Sequence, residues 1–89
     1  SCDSNVGIIE KAEYSIRIYP NPVTHGMLTI TSEQPVQCLL LRDVTGRVMT
    51  IKEPNTNETT VECNWPSGIY FLQIQVRGNW INRKIQVLK

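Results

Sequence analysis

Few side chains in this sequence are equipped for catalysis. Its one histidine, His25, stands beside Gly26 in a turn-like stretch, and its three cysteines are Cys2, Cys38 and Cys63. A hydrolase or transferase needs a nucleophile, a base and a group that orients the base. A solvated loop histidine does not meet that need, and the carboxylates are scattered among loops and strand ends without a conspicuous pair. Gly26, Gly46, Gly68 and Gly78 each fall at a separate strand junction, so no glycine-rich loop is available to cradle a phosphate. The expectation is a non-catalytic domain that takes no cofactor. An odd number of cysteines without CxxC or Cys/His spacing also argues against a metal site.

The cysteines leave a choice open. Cys38 and Cys63 fall in strand-like stretches, where thiols commonly pack as small apolar groups. A disulfide between them requires Cα atoms about 4.4–6.8 Å apart, which sequence does not establish. Cys2 lies in a polar leader and is expected to oxidise between molecules on handling. Trp65 and Trp80 offer a ligand platform in principle, but core or rim packing is the commoner use of such residues. Asn57-Glu58-Thr59 matches a glycosylation acceptor triplet, which carries no weight outside a eukaryotic secretory setting.

Composition bounds the remaining classes. The chain has 89 residues at 10.2 kDa, is 40% hydrophobic and 19% charged, and has a formal net charge of +1. That describes one small globular domain with a thin core. Nearly balanced charge gives no basic field for phosphate contacts, so nucleic acid is not an expected partner. The longest wholly apolar run, Cys38 to Leu41, is far short of the roughly 18 residues of a membrane-spanning helix. The chain opens at Ser1 without a basic segment followed by an apolar one, so an export signal of a parent protein is expected upstream.

The elements that must position everything else read as strands. Residues 1–13 show no alternation and read as a linker, and residues 14–89 as the folded domain. Tyr14 to Tyr19 alternates and stops at Pro20, which has no amide to donate. Met27 to Thr31 follows. Gln34-Pro35 is expected to turn the chain into Val36 to Arg42, whose apolar residues on both faces suit a strand covered on both sides. Asp43-Val44-Thr45-Gly46 supplies a turn in which Asp43 accepts hydrogen bonds from turn amides and pairs with Arg47. Strands are then expected over Arg47 to Lys52, Thr59 to Cys63, Ile69 to Arg77 and Trp80 to Leu88.

Tyr70, Leu72, Ile74 and Val76 share one face at a period of two, and Gln73, Gln75 and Arg77 share the other. A Gly78-Asn79 turn would pair Arg77 with Trp80, placing Val76 opposite Ile81, Ile74 opposite Arg83, Leu72 opposite Ile85 and Tyr70 opposite Val87. Arg83 is the misfit, to be resolved by snorkelling or by a bulge. About seven strands and no helix predict an all-β, antiparallel immunoglobulin-like sandwich.

The order of certain segments adds what periodicity alone does not. Ile18-Tyr19-Pro20-Asn21-Pro22 is followed by Leu28-Thr29-Ile30, then Leu41-Arg42-Asp43-Val44-Thr45-Gly46-Arg47-Val48, then Pro66-Ser67-Gly68-Ile69-Tyr70, and finally Arg83-Lys84-Ile85-Gln86-Val87. In this order and spacing the chain resembles the type A C-terminal sorting domain of proteins exported by the Bacteroidetes type IX secretion system, over about residues 14–89. Tyr19, Pro20, Asn21, Pro22, Asp43, Gly46, Arg47, Ser67, Gly68 and Tyr70 are its motif positions here. Leu40, Arg83-Lys84 and Gln86 depart from the family pattern while keeping the alternation of Ile85 and Val87. Tyr19-Pro20-Asn21-Pro22 is expected to form a stiff exit from the first strand rather than a receptor contact.

The resemblance implies a signal that directs a cargo protein through the periplasm to the outer membrane and cell surface. Its implied partners are the type IX translocon and the outer-membrane shuttle and sortase proteins. The sortase would cleave at or before residues 1–13, and the minimal export information would lie in about residues 68–89. Arg83, Lys84, Ile85, Val87 and Lys89 are the candidate recognition residues, read by strand addition or through their exposed face. The competing expectation is an immunoglobulin-like binding or spacer module retained on a secreted protein. No small-molecule ligand is expected, and an uncovered sheet edge would permit a weak homodimer.

Overall fold

The computed structural model describes residues 15–89. The expected linker, Tyr14 and Cys2 lie outside the described residues. Six strands follow in order: β1 (Ile16–Tyr19), β2 (Met27–Arg42), β3 (Val48–Lys52), β4 (Thr56–Glu62), β5 (Gly68–Val76) and β6 (Asn79–Val87). All named strand pairs are antiparallel, and the described residues contain no helix.

Six strands replace the expected seven because Gln34-Pro35 does not turn the chain. Residues 27–42 form one 16-residue strand. Pro35 lies where the β4 ladder is interrupted between Thr31 and Val36, and the β5 ladder shifts register between Val36 and Cys38. An irregular stretch of ladder tolerates a residue that has no amide proton. The neighbouring chain breaks at the same level, at Glu53-Pro54-Asn55 between β3 and β4. There the Asn55 amide donates to the Val36 carbonyl at 2.8 Å, and Asn55 itself has a φ of 52°.

β2 is thereby shared by two halves of one continuous sheet. Residues Thr29–Thr31 pair with β1 on one edge and β4 on the other, whereas Leu39–Arg42 pair with β5 and β3. β6 extends the second half beyond β5. The sheet encloses a core that includes Leu28, Ile30, Leu39, Leu41, Leu72 and Ile74, all fully buried. Alternation along each strand is what delivers these residues to one side.

The β5–β6 turn also differs from the expectation. Val76 pairs with Asn79, so the two-residue loop is Arg77-Gly78, with φ of 52° and 79°. Two successive positive φ values characterise the type I′ loop, whose twist matches that of the strands it joins. Ile74 therefore faces Ile81, Leu72 faces Arg83 and Tyr70 faces Ile85. The register moves by two residues, and an even shift leaves every side chain on its expected face. Arg83 stays opposite Leu72 without a bulge, and its exposed guanidinium turns back so that Nη1 donates to the Asn82 carbonyl at 2.7 Å.

Cys63 is a buried free thiol, so the Cys38–Cys63 disulfide does not form. Cys38 is nevertheless disulfide-bonded, and it packs with Leu40 and Trp80 in a small buried cluster apart from the main core. Burial pushes the Cys63 thiol up to about 11.

Candidate functional site

Two of the sequence motifs converge on β6. After β1 the chain passes through Tyr19-Pro20-Asn21-Pro22, where both proline peptide bonds are cis. It then lies alongside the outer edge of β6. The Val23 amide donates to the Gln86 carbonyl at 2.7 Å, and the Leu88 amide donates to the Val23 carbonyl at 2.8 Å. Val23 forms an isolated parallel bridge with Val87 and is fully buried.

Asn21 extends this contact with its side chain. Its Nδ2 donates to the Lys84 carbonyl at 3.1 Å, and its Oδ1 accepts from the Gln86 amide at 3.0 Å. A side-chain amide carries one donor face and one acceptor face, so it satisfies two edge groups as a neighbouring strand would. Asn21 and Val23 thus occupy this edge along residues 84–88.

The Pro66-Ser67-Gly68-Ile69-Tyr70 segment holds the same end of that strand from its β5 side. The Ser67 hydroxyl accepts from the Lys89 amide at 2.8 Å, and Gly68 pairs with Val87. Tyr70 donates its hydroxyl proton to the Pro66 carbonyl at 2.7 Å and packs against Trp65 with ring centroids 5.0 Å apart. Such a bond lets the ring be buried while its polar tip is satisfied.

Asp43, Gly46 and Arg47 instead build the β2–β3 turn. Asp43 Oδ1 accepts from the Thr45 amide and hydroxyl at 2.9 and 2.6 Å and from the Arg47 amide at 3.1 Å. Arg47 Nε lies 3.4 Å from Asp43 Oδ2. The Thr45 hydroxyl, followed by the Arg47 and Thr45 amides and the Arg47 charge, holds this carboxyl below its ordinary value despite some desolvation. Gly46 has a φ of 91°, a conformation costly for a side-chain-bearing residue.

The recognition candidates divide by exposure. Ile85 and Val87 are 1% and 2% exposed and belong to the core, so a partner cannot touch them directly in the folded domain. Arg83, Lys84 and Lys89 are exposed. The role of Asn21 as a fastener of β6 was not readable, since nothing local in a Pro-Asn-Pro run indicates a partner more than sixty residues away.

A concavity of about 550 Å³ is lined by Met27, Thr50, Lys52, Glu62, Asn64 and Trp65 among others, from β2, β3, β4 and the loop after β4. Lys52 Nζ crosses it to the Thr60 carbonyl at 2.8 Å. His25 is exposed, with Nδ1 3.0 Å from the Thr24 hydroxyl. Among the described residues no group of three or more His, Cys, Asp or Glu is placed to hold a metal ion.

Comparisons with known proteins agree with the motif order. A family model described as "Secretion system C-terminal sorting domain" matches residues 17–88. No curated protein matches the chain. Among solved structures, the chain is similar to that of PorZ, described as an essential bacterial surface component of the type-IX secretion system of human oral-microbiomic Porphyromonas gingivalis. That likeness has a TM-score of 0.71 at 22% identity and covers 84% of this chain. The chain spans only 12% of that protein, so the likeness is one of fold. With ordered motifs fastening one terminal strand and a family match over almost all described residues, the chain belongs to the type IX secretion system C-terminal sorting domain family.

Proposed function

We propose that this domain is a non-catalytic export signal that directs an attached cargo across the outer membrane through the type IX translocon. In this reading residues 14–89 are the signal and residues 1–13 the linker in which, or just before which, an outer-membrane sortase cuts. The fold is read as an immunoglobulin-like sandwich, with the two halves sharing β2 as its two layers. The observation that carries the reading is the fastening of β6. Asn21 and Val23, just after β1, and Ser67, just before β5, direct polar groups to residues 84–89. This favours recognition of a rigid, completed surface, since a strand meant to be drawn into a partner's sheet needs an open edge.

The test is a reporter carrying a periplasmic signal peptide and residues 1–89 at its carboxyl end. It is expressed in a host with an intact type IX system and in one lacking the translocon. Surface delivery with loss of the 10.2 kDa segment only in the intact host is the expected result. Reporter left in the periplasm of both hosts, with the domain folded and attached, would overturn the signal reading in favour of a retained binding or spacer module.

A further inference from the structure

The two halves of the sheet present outward faces of different chemistry. On the β3–β2–β5–β6 half, the ladder pairs Val48 with Arg42, Arg42 with Phe71, and Phe71 with Lys84, forming one row across four strands. The next row runs Ile51, Leu40, Gln73 and Asn82, of which Leu40 is covered, 4% exposed, in the cluster with Cys38 and Trp80. Three large apolar side chains of these rows stand in solvent: Val48 at 43% exposed, Ile51 at 56% and Phe71 at 42%. Arg42 and Lys84 flank the phenyl ring, and neither row contains a carboxylate. On the β4–β2–β1 half, the outward residues include Glu58 and Glu62 of β4 against Arg17 of β1.

Arg42 is held in place by bonds that leave part of it available. Its Nε donates to Gln73 Oε1 at 3.0 Å and one Nη1 proton goes to the Gly46 carbonyl at 3.1 Å. A guanidinium has five donors, so three remain. A cation fixed by the protein loses little freedom on binding an anion, which strengthens the contact. An aromatic ring between two cations, with aliphatic residues beside it, matches a partner that offers an apolar side chain flanked by carboxylates.

We propose that the Val48–Arg42–Phe71–Lys84 row docks an acidic protein surface of the export machinery, with carboxylates on Arg42 and Lys84 and an apolar side chain against Phe71 and Ile51. The proposal rests on the export-signal reading and assigns that signal a contact surface. Charge complementarity selects the partner, because the basic row faces away from the half that carries Glu58 and Glu62.

The test uses the same reporter with the whole 89-residue chain carrying Phe71→Ser with Lys84→Glu, or Glu58→Lys on the opposite face as control. All three substituted residues are solvent-exposed, and melting of each purified domain shows whether the fold is kept; a melted double variant is replaced by Lys84→Glu alone. Surface delivery is expected to fall about tenfold for the outer-row variant and to change less than about twofold for Glu58→Lys. Undiminished delivery of the outer-row variant, or an equal loss with Glu58→Lys, overturns the proposal. An unmodified reporter that fails to reach the surface overturns the export-signal reading instead. Two further measurements address other occupants. Sedimentation with phosphatidylcholine vesicles containing phosphatidylglycerol, lost in Lys84→Glu, would assign the face to anionic lipid and overturn the protein partner. A dimer seen by light scattering and abolished by Lys84→Glu would assign it to a second copy, with the same consequence.

Discussion

Two edges of this sheet, those of β6 and of β3 with β4, are treated in opposite ways. Along β6 a backbone bridge at Val23 and a side-chain mimic of backbone at Asn21 occupy the outer edge of residues 84–88. Along β3 and β4 the chain bends away at Pro54, and Lys52 reaches over to the Thr60 carbonyl. An unpaired edge invites association with another chain, and proteins blunt it with prolines, bends and lysines or cover it outright. Here one edge is covered and the other blunted. The covered edge is held by Asn21 of the family motifs, while Ser67 and Gly68 hold the same strand from the β5 side, so these motif residues fasten β6.

Substitutions can test this contrast. The largest effect is expected for Ile85→Ala, which opens a cavity under the fastened strand. A loss of about 2–5 kcal/mol is expected from denaturant unfolding, and a loss below about 1 kcal/mol would mean that β6 contributes little to the core. Next is Asn21→Ala. At about 0.5–1.5 kcal/mol for each of two hydrogen bonds, it should cost about 1–2 kcal/mol and lower the melting midpoint by roughly 4–8 °C per kcal/mol. Asn21→Asp, which keeps the acceptor but loses the donor, should fall between. Equal stability of all three forms would show that the side-chain bridge is incidental. On the blunted edge, Lys52→Ala should change stability by less than about 0.5 kcal/mol; a loss matching that of Asn21→Ala would erase the contrast.

The smallest effect is visible only in acid. The carboxyl of Asp43 is held below its ordinary value of 3.8 in the folded state. The unfolded chain therefore binds the proton first, and stability that Asp43 contributes above about pH 4 is lost as pH falls further. Asp43→Asn should lower stability at neutral pH and flatten the acid limb of the unfolding profile. An acid limb identical to that of the parent would remove Asp43 from the account.

Much of this architecture was legible because alternation is a local property. Tyr70, Leu72, Ile74 and Val76 face the core as their spacing requires, and so do Ile81, Ile85 and Val87. The Asp43 turn was legible for the same reason, since an aspartate bonds amides only two and four residues ahead. Junctions were harder. Pro35 normally signals a turn, but a strand that is crossing between two halves of a sheet needs an irregular point, and a proline fits there. Gly78 signals a positive φ without saying whether it takes the first or second place in the loop, and Arg77 had to adopt one too. The fastening of β6 was illegible altogether, because it joins residues brought together only by the completed fold. Likewise the outward row became visible only once register aligned four strands.

The separation between those residues has a temporal consequence. Asn21 grips positions 63 and 65 residues later, and Ser67 grips Lys89. Closing so long a loop is entropically unfavourable until the strands between have assembled, so this contact belongs to the end of folding. A chain interrupted anywhere within residues 84–89 would lack the groups that Asn21 or Ser67 holds. The fastened strand thus acts as a check on assembly: whatever reads this surface reads it on a molecule in which β6 has been made and docked.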